Sequence, residues 1–161
     1  MHKESFHIAF ESYASETELR SEDRALLDLA RQSLRDAWAP YSQFKVGAAV
    51  LTQSGEMFGG SNQENAAYPM CLCAERVALA TAASQAPASP VVAIAVTVQN
   101  LRNPATRPAA PCGACRQVIC ETEYRHNHDI RVIMQGESGP VYVFHSAKDL
   151  LPFSFDASFL D

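Results

Sequence analysis

Pro-Cys-Gly-Ala-Cys-Arg-Gln (residues 111–117) and Cys-Ala-Glu-Arg (residues 73–76) are the most informative stretches of this chain, and they indicate its chemistry. Three thiolates can hold a Zn²⁺ and leave its fourth tetrahedral position open for water, which is typical of a catalytic zinc site. A carboxylate beside that position can move protons. The two strings supply this set of side chains: Cys73, Cys112, Cys115 and Glu75.

The two strings are expected at the starts of two helices. Residues 73–86 are rich in Ala and Leu, and a second helical segment begins near Cys112. Helix N-termini present unpaired N–H groups and partial positive charge, which favour the thiolate form of cysteine. One helical turn separates Cys112 from Cys115, so both sulfurs can face one point. The remaining cysteines, Cys71 and Cys120, are expected to be buried small apolar residues outside this site.

Helices alternate with strands along the rest of the chain. Ser21 is expected to cap a helix whose apolar residues share one face up to Trp38 and which ends at Pro40. Strands are expected in five segments, at residues 44–51, 56–61, 91–98, 130–134 and 141–144. This order predicts an α/β fold, a three-layer α/β/α sandwich with one mixed sheet of about five strands.

The chain is expected to form one domain at residues 21–161, because its length suits a single domain. Residues 1–20 carry a weak apolar alternation at Phe6, Ile8 and Phe10, which is compatible with an N-terminal arm or an extra edge strand. The segment 99–111 contains several prolines and is expected to be an exposed loop.

Composition and charge exclude several classes of protein. The net charge is −5 and the 13 basic residues are scattered, whereas nucleic-acid binding needs clustered Lys and Arg. No apolar stretch approaches the roughly 18 residues of a membrane span, and the polar start lacks the apolar segment of a signal peptide. Five cysteines fit metal-bound thiolates in a reducing compartment better than a disulfide framework. We therefore expect a cytoplasmic protein that binds neither nucleic acid nor membrane.

Five segments spread over residues 39–155 match one known family in the family's order. Their sequences are Ala-Pro-Tyr-Ser-Gln-Phe-Lys-Val-Gly-Ala-Ala-Val (39–50), Gly-Ser-Asn-Gln-Glu-Asn-Ala-Ala-Tyr-Pro (60–69), Cys-Ala-Glu-Arg (73–76), Pro-Cys-Gly-Ala-Cys-Arg-Gln (111–117) and Leu-Leu-Pro-Phe-Ser-Phe (150–155). On these segments the chain closely resembles the small cytidine deaminases that act on free nucleosides. Residues 1–20 and the long 99–111 loop depart from the short family pattern, and neither touches the expected metal centre.

The resemblance implies a hydrolase acting on the C–N bond of a cyclic amidine. It would convert cytidine and deoxycytidine to uridine and deoxyuridine with release of ammonia, a reaction of pyrimidine salvage. Zn²⁺ held by Cys73, Cys112 and Cys115 would activate a water molecule. Glu75 would move protons between that water, the pyrimidine ring and the departing amine.

The resemblance also implies roles for residues around the metal. Phe44 would line the pyrimidine pocket, and the backbone at Ala74 would help to fix the base. Asn62 and Glu64 would hydrogen bond the ribose 3′-hydroxyl. Arg76 would donate hydrogen bonds to the zinc-bound sulfurs and offset part of their charge.

Members of the resembling family are homotetramers whose active sites borrow residues from neighbouring subunits. Ala66, Tyr68 and Phe155 occupy the matching positions in this chain. The partners implied are therefore a small-molecule nucleoside and further copies of the same chain.

Other interpretations of the same residues stay open. Cys112-x-x-Cys115 alone could be half of a structural zinc ribbon or a redox pair, although Glu75 has no role in a ribbon and no second Cys-x-x-Cys is present. A deaminase of another aminopyrimidine nucleoside, such as a nucleoside antibiotic, would share both strings. A non-catalytic binding module stabilised by zinc is a further alternative, and the acidic charge makes polynucleotide editing a poorer one.

Overall fold

The structure, a computed structural model, describes residues 1–160 of the chain. Its centre is one six-stranded sheet with the order β1-β6-β5-β4-β2-β3, in which β4 and β5 are parallel and the other neighbours antiparallel. The strands are β1 (Glu11–Tyr13), β2 (Phe44–Thr52), β3 (Met57–Ser61), β4 (Val91–Asn100), β5 (Arg131–Gln135) and β6 (Val141–Phe144). The helices are α1 (Ser21–Ser33), α2 (Ala74–Gln85) and α3 (Gly113–His126).

The sheet is buried on both faces, which gives the fold its three layers. Successive residues of a strand point to opposite faces. Ala48 and Val50 of β2 accordingly join the core under α2 and α3, whereas Ala49 and Leu51 join the core under α1. Strands covered on both sides need continuous apolar runs rather than alternation, and this is the pattern of β4. Each fully buried large aliphatic side chain stabilises the fold by about 1.5–3 kcal/mol relative to its exposed state.

Close packing of α2 against β3 brings the start of α2 to the sheet. A Cβ atom at Gly60 of β3 would lie only 2.6 Å from the carbonyl oxygen of Ala74, the first residue of α2. Only glycine permits this approach of two backbones. The approach fixes the height of Cys73 and Glu75, which flank Ala74, above the strands.

The expected α/β fold with one mixed sheet is confirmed. All five expected strands are present, and the sixth strand, β1, pairs with the edge of β6. Within the N-terminal residues, Phe10 packs on Phe144 and Tyr142 with ring centroids 5.1 and 5.0 Å apart. The expected cap at Ser21 is wrong, because Ser21 is the first helical residue and Arg20 precedes it without a side-chain capping bond.

The helices in the described part of the chain do not have the length and apolar character of membrane spans. Within residues 1–160, each helix is either too short or too polar to cross a bilayer.

Candidate metal centre and active site

Two helix starts bring three sulfurs together. Cys73 and Cys112 immediately precede α2 and α3, and Cys115 lies in the first turn of α3. The Sγ atoms of Cys73 and Cys112 are 3.8 Å apart, those of Cys112 and Cys115 are 3.5 Å apart, and all three lie within 4.8 Å of one another. Tetrahedral coordination with Zn–S bonds of about 2.3 Å spaces sulfurs by about 3.8 Å. The donor set and its spacing therefore fit a zinc ion with three thiolate ligands.

The thiols of Cys73 and Cys115 do not titrate independently. Hydrogen bonding from the Cys115 thiol, followed by that from Arg76 and Cys112, lowers the pKa of Cys73 to about 5. The same interaction with Cys73, together with burial, raises the pKa of Cys115. Cys73 therefore ionises more easily than Cys115, and a bound cation would favour the thiolate form of each ligand.

Arg76 is the cation beside these sulfurs. Its Nη2 lies 3.8 Å from Cys73 Sγ and donates to the Cys71 carbonyl oxygen at 3.0 Å. Within residues 1–160 its buried Nε atom has no hydrogen-bond partner. The guanidinium is therefore held next to the sulfurs while part of its donor capacity stays unused.

Glu75 is a buried acid at the metal centre. It lies in the first turn of α2 with 4% of its surface exposed. Burial, and secondarily the charge of Cys73, raise the pKa of Glu75 above its ordinary value. A buried carboxyl group with a raised pKa holds a proton more readily than an exposed one, and it can therefore both accept and return protons.

Glu75 and two of the sulfurs face one cavity of about 300 Å³. Aliphatic and aromatic side chains form most of its wall, and amide and carboxylate groups lie together on one side. The residues that line the cavity are Phe44, Val46, Asn62, Gln63, Glu64, Cys71, Leu72, Cys73, Glu75, Val96, Val98, Ala109, Ala110 and Cys112.

The polar side of the cavity is built on the start of β2. Asn62 accepts a hydrogen bond from Val46 N at 2.8 Å and donates one to the Phe44 carbonyl oxygen at 3.0 Å. Glu64 Oε2 accepts hydrogen bonds from the backbone N–H groups of Tyr41 and Ser42 at 2.9 and 3.2 Å. Hydrogen bonding from Ser42, and also from Tyr41, lowers the pKa of Glu64, so this carboxylate stays ionised.

The structure brings most of the expected site residues to this cavity and leaves others outside it. Phe44, Asn62, Glu64, Cys73, Glu75 and Cys112 line the cavity, while Cys115 and Ala74 are fully buried and do not line it. Ala66, Tyr68 and Phe155 do not line it, and the side chains of Tyr68 and Phe155 are 69% and 56% exposed.

Some lining residues were not expected from the sequence. Cys71 was expected to be buried away from the site, but it is half-buried and lines the cavity, and its Sγ accepts a hydrogen bond from Asn65 N at 3.2 Å. The expectation for Cys120 as a buried residue agrees with its 4% exposure. Gln63 is a further unexpected wall residue, whose position between Asn62 and Glu64 is the one signal that the sequence offers.

One family model matches a region that contains the three cysteines of the cluster, Glu75 and every residue that lines the cavity. The model of the cytidine and deoxycytidylate deaminase zinc-binding region matches residues 20–127. The metal that this region binds is zinc, in agreement with the donor set of the three cysteines.

Individual relatives match over most of their own length. A cytidine deaminase from Halalkalibacterium halodurans is 40% identical over 132 residues, which cover 82% of this chain and 92% of that protein. The crystal structure of a cytidine deaminase from Burkholderia pseudomallei is 44% identical, has a TM-score of 0.71 and covers 81% of this chain and 97% of that one. The crystal structure of a cytidine deaminase from Mycobacterium tuberculosis is 29% identical, with a TM-score of 0.65 and coverage of 84% and 98%. On this evidence of sequence, fold and donor set, the chain belongs to the cytidine and deoxycytidylate deaminase family.

Proposed function

We propose that this chain catalyses the zinc-dependent hydrolytic deamination of cytidine and deoxycytidine to uridine and deoxyuridine, with release of ammonia. One observation carries the proposal: a buried acid, Glu75, shares a cavity with Cys73 and Cys112, and the sulfurs of these two residues and of Cys115 are spaced to fit three of the four ligand positions of zinc. A structural zinc site would fill the fourth position with a protein ligand and would have no use for the acid.

In this proposal Cys73, Cys112 and Cys115 hold the metal. A bound Zn²⁺ in such a site acts as a Lewis acid and lowers the pKa of a water molecule. Three thiolates on a dication leave the site with a net charge of −1, and this charge makes the metal a weaker Lewis acid. Arg76, with Nη2 3.8 Å from Cys73 Sγ, supplies a positive charge that offsets part of it.

Glu75 performs the proton transfers. It accepts a proton from the attacking water and delivers it to ring N3, which makes C4 more electrophilic. The water oxygen then forms a bond to C4. Glu75 takes the second proton from that oxygen and passes it to the exocyclic amine, the C4–N bond breaks, and ammonia leaves. Water and cytidine thus become uridine and ammonia, with the first proton retained on N3.

The remaining wall residues bind the substrate. Phe44 packs on the pyrimidine, and the main chain at Ala74 fixes its edge. Asn62 and Glu64 bind the ribose 3′-hydroxyl, which both cytidine and deoxycytidine carry. A built polar site that loses its partner hydroxyl rejects the analogue strongly, so free cytosine is a poor substrate.

We also propose that the active form is a homotetramer in which Ala66, Tyr68 and Phe155 complete the sites of neighbouring subunits. Large apolar side chains are exposed near the cavity and on the C-terminal segment, which supports an interface there. They are Trp38, Tyr41, Tyr68, Met70, Leu72, Phe153 and Phe155.

We propose further that the protein is cytoplasmic and that residues 21–161 form a single domain. All five cysteines are free, which supports a reducing compartment such as the cytoplasm. The matched family region, residues 20–127, begins where the proposed single domain of residues 21–161 begins, after the N-terminal arm at residues 1–20.

Ammonia release by the purified zinc-loaded protein tests the function. The substrates are cytidine, deoxycytidine, free cytosine and a cytosine nucleoside antibiotic. We expect rapid release from the first two and little from the others. Activity on the antibiotic alone would replace this proposal with the other aminopyrimidine deaminase, and no activity on any substrate would refute it.

A further inference from the structure

The loop at residues 101–110 forms a fixed wall of the cavity through Ala109 and Ala110. Glu137 Oε1 accepts hydrogen bonds from Asn100 N and Ala105 N at 2.9 and 3.0 Å, and Glu137 N donates to the Ala105 carbonyl oxygen at 2.7 Å. Three bonds to one residue after β5 therefore tie down the first half of the loop.

Close backbone packing holds the second half of the same loop. A Cβ atom at Gly136 would lie 2.8 Å from the carbonyl oxygen of Arg107, so the loop passes directly over a glycine. Because both halves are fixed to the residues that follow β5, a side chain from this loop can serve as a rigid support for another segment.

Arg102 of this loop reaches the turn before β2. Its Nη2 donates to the Tyr41 carbonyl oxygen at 3.3 Å, and its Nε donates to Gln43 Oε1 at 3.2 Å. The neighbouring Leu101 N donates to the Gln43 carbonyl oxygen at 3.0 Å. Gln43 has a φ of 57°, a left-handed conformation that non-glycine residues adopt only with external support.

The supported turn is the one that positions Glu64. The N–H groups of Tyr41 and Ser42 both donate to Glu64 Oε2. Within residues 1–160, Glu64 Oε1 accepts no hydrogen bond, so it is free to bind a substrate hydroxyl. The peptide unit between Tyr41 and Ser42 therefore links the two residues: its carbonyl oxygen accepts from Arg102, and its N–H group donates to Glu64.

We propose that Arg102 is a positioning residue for the sugar subsite, which presets the Tyr41–Gln43 turn and thereby the carboxylate of Glu64. The inference rests on the proposed function, because it takes Glu64 as the group that binds the ribose 3′-hydroxyl. Arg102 itself touches no reacting atom in this proposal. It acts through the turn.

The first experiment compares Arg102→Ala with Arg107→Ala as a matched control. Both variants remove one exposed arginine from the same loop, and within residues 1–160 the Arg107 side chain makes no hydrogen bond. For Arg102→Ala we expect kcat/KM for cytidine to fall about threefold to tenfold, the effect of losing one or two modest hydrogen bonds. Arg107→Ala should stay within twofold of wild type, and zinc content should be unchanged in both.

The second experiment separates positioning from general structural damage by changing the substrate. With 3′-deoxycytidine the hydroxyl that Glu64 binds is missing, so Arg102→Ala should change kcat/KM by less than twofold. Likewise, Arg102→Ala should cost nothing further in a Glu64→Ala background. Arg102→Lys should recover part of the activity on cytidine, because one ammonium can reach the Tyr41 carbonyl oxygen.

These outcomes keep the inference and the proposed function apart. Equal losses on cytidine and 3′-deoxycytidine, additive losses with Glu64→Ala, or no loss on cytidine would each overturn the role of Arg102 while leaving the deaminase activity of the wild type intact. If the wild type itself does not deaminate cytidine, the proposed function fails first and the inference fails with it.

Discussion

Gln117 holds the main chain of Phe155 through two hydrogen bonds: its Nε2 donates to the Phe155 carbonyl oxygen at 2.6 Å, and its Oε1 accepts from Phe155 N at 3.3 Å. Gln117 lies on α3, two residues after the sulfur of Cys115. The helix that carries two of the three sulfurs therefore also anchors the C-terminal segment, and it does so with the Phe155 side chain 56% exposed. An anchored but exposed aromatic residue is suited to entering another subunit.

Gln117→Ala should release the C-terminal segment and lower kcat/KM for cytidine at unchanged zinc content. Phe155→Ala should lower kcat/KM in the same way, because it removes the aromatic side chain itself. Mixed tetramers of two impaired variants test whether Phe155 acts on a neighbouring subunit. Tetramers assembled from a small fraction of Gln117→Ala and an excess of Glu75→Gln, which has an intact segment but no proton carrier, should regain wild-type activity per Gln117→Ala subunit. No gain over the separate variants, or a fully active monomer in sedimentation, would exclude the shared site.

Cys112→Ala should lose zinc and activity together, because a site with three protein ligands cannot hold the metal well with two. Cys120→Ala is the matched control, since that cysteine is buried in the same helix but outside the sulfur cluster. Elemental analysis of both proteins, beside ammonia release, measures the effect. Full zinc content in Cys112→Ala would contradict the assignment of the ligand.

Glu75→Gln keeps the shape of the side chain and removes its ability to carry protons. General acid–base catalysis contributes about 10²–10⁴-fold per step, and two steps use this residue, so turnover should fall at least about 10³-fold. Zinc content and the binding of the product uridine should be retained, which distinguishes lost chemistry from lost structure. A turnover within tenfold of wild type would exclude Glu75 as the proton carrier.

The centre of the site could be predicted from the sequence because its geometry is local. Cys112 and Cys115 are one turn apart, and Cys73 and Glu75 flank the first residue of a helix. The position of the two side chains within each pair therefore follows from the geometry of one helix. The two pairs meet because α2 follows β3 and α3 follows β4, and both strands run in the same direction, so the two helices start beyond the same end of the strands.

Other parts of the structure depend on contacts between segments that are distant in sequence. Arg102 reaches Tyr41 only because Glu137 and Gly136 fix the path of its loop, and nothing near Arg102 in sequence indicates that path. The sequence predicts Cys71 as a buried apolar residue because the chemistry of cysteine suits that role as well as a place in the cavity wall.

Ser21 is a good capping residue that lies one position too late, since the first turn of α1 already includes it.

Arg76→Gln tests the charge that the guanidinium supplies. Removing a cation 3.8 Å from Cys73 Sγ makes the site more negative, and a more negative site holds the protons of a bound water more tightly. The rising limb of kcat/KM against pH should therefore move to higher pH, with lower activity at neutral pH and most of the zinc retained. Arg24→Gln, on an exposed position of α1, is the control. An unchanged limb at full zinc content would mean that Arg76 does not offset the charge of the sulfurs.

Glu123 allows a test of stability against pH away from the metal. It is 1% exposed, and its Oε1 accepts hydrogen bonds from Ile130 N and Ala147 N, both at 2.8 Å, while Ser146 Oγ donates to the carboxylate. Burial raises the pKa of Glu123 in spite of these hydrogen bonds. The folded state therefore binds the proton more tightly than the unfolded state. The contribution of Glu123 to stability is full below the unfolded pKa, about 4.3, and is lost as pH rises through the folded pKa.

Glu123→Gln resembles the protonated carboxyl group at every pH and keeps the oxygen that accepts the two N–H groups. The free energy of unfolding of Glu123→Gln minus that of the wild type should thus increase as pH rises from about 4.5, and level off once the pH exceeds the folded pKa. Urea unfolding of both zinc-loaded proteins between pH 4.5 and 8 measures this difference and cancels pH effects that the two share. Glu123→Ala, which leaves Ile130 N and Ala147 N without their acceptor, should instead be destabilised across the whole range by about 1–3 kcal/mol for each unpaired group. A difference between Glu123→Gln and wild type that falls with rising pH would show that the hydrogen bonds outweigh burial and that the pKa of Glu123 is lowered.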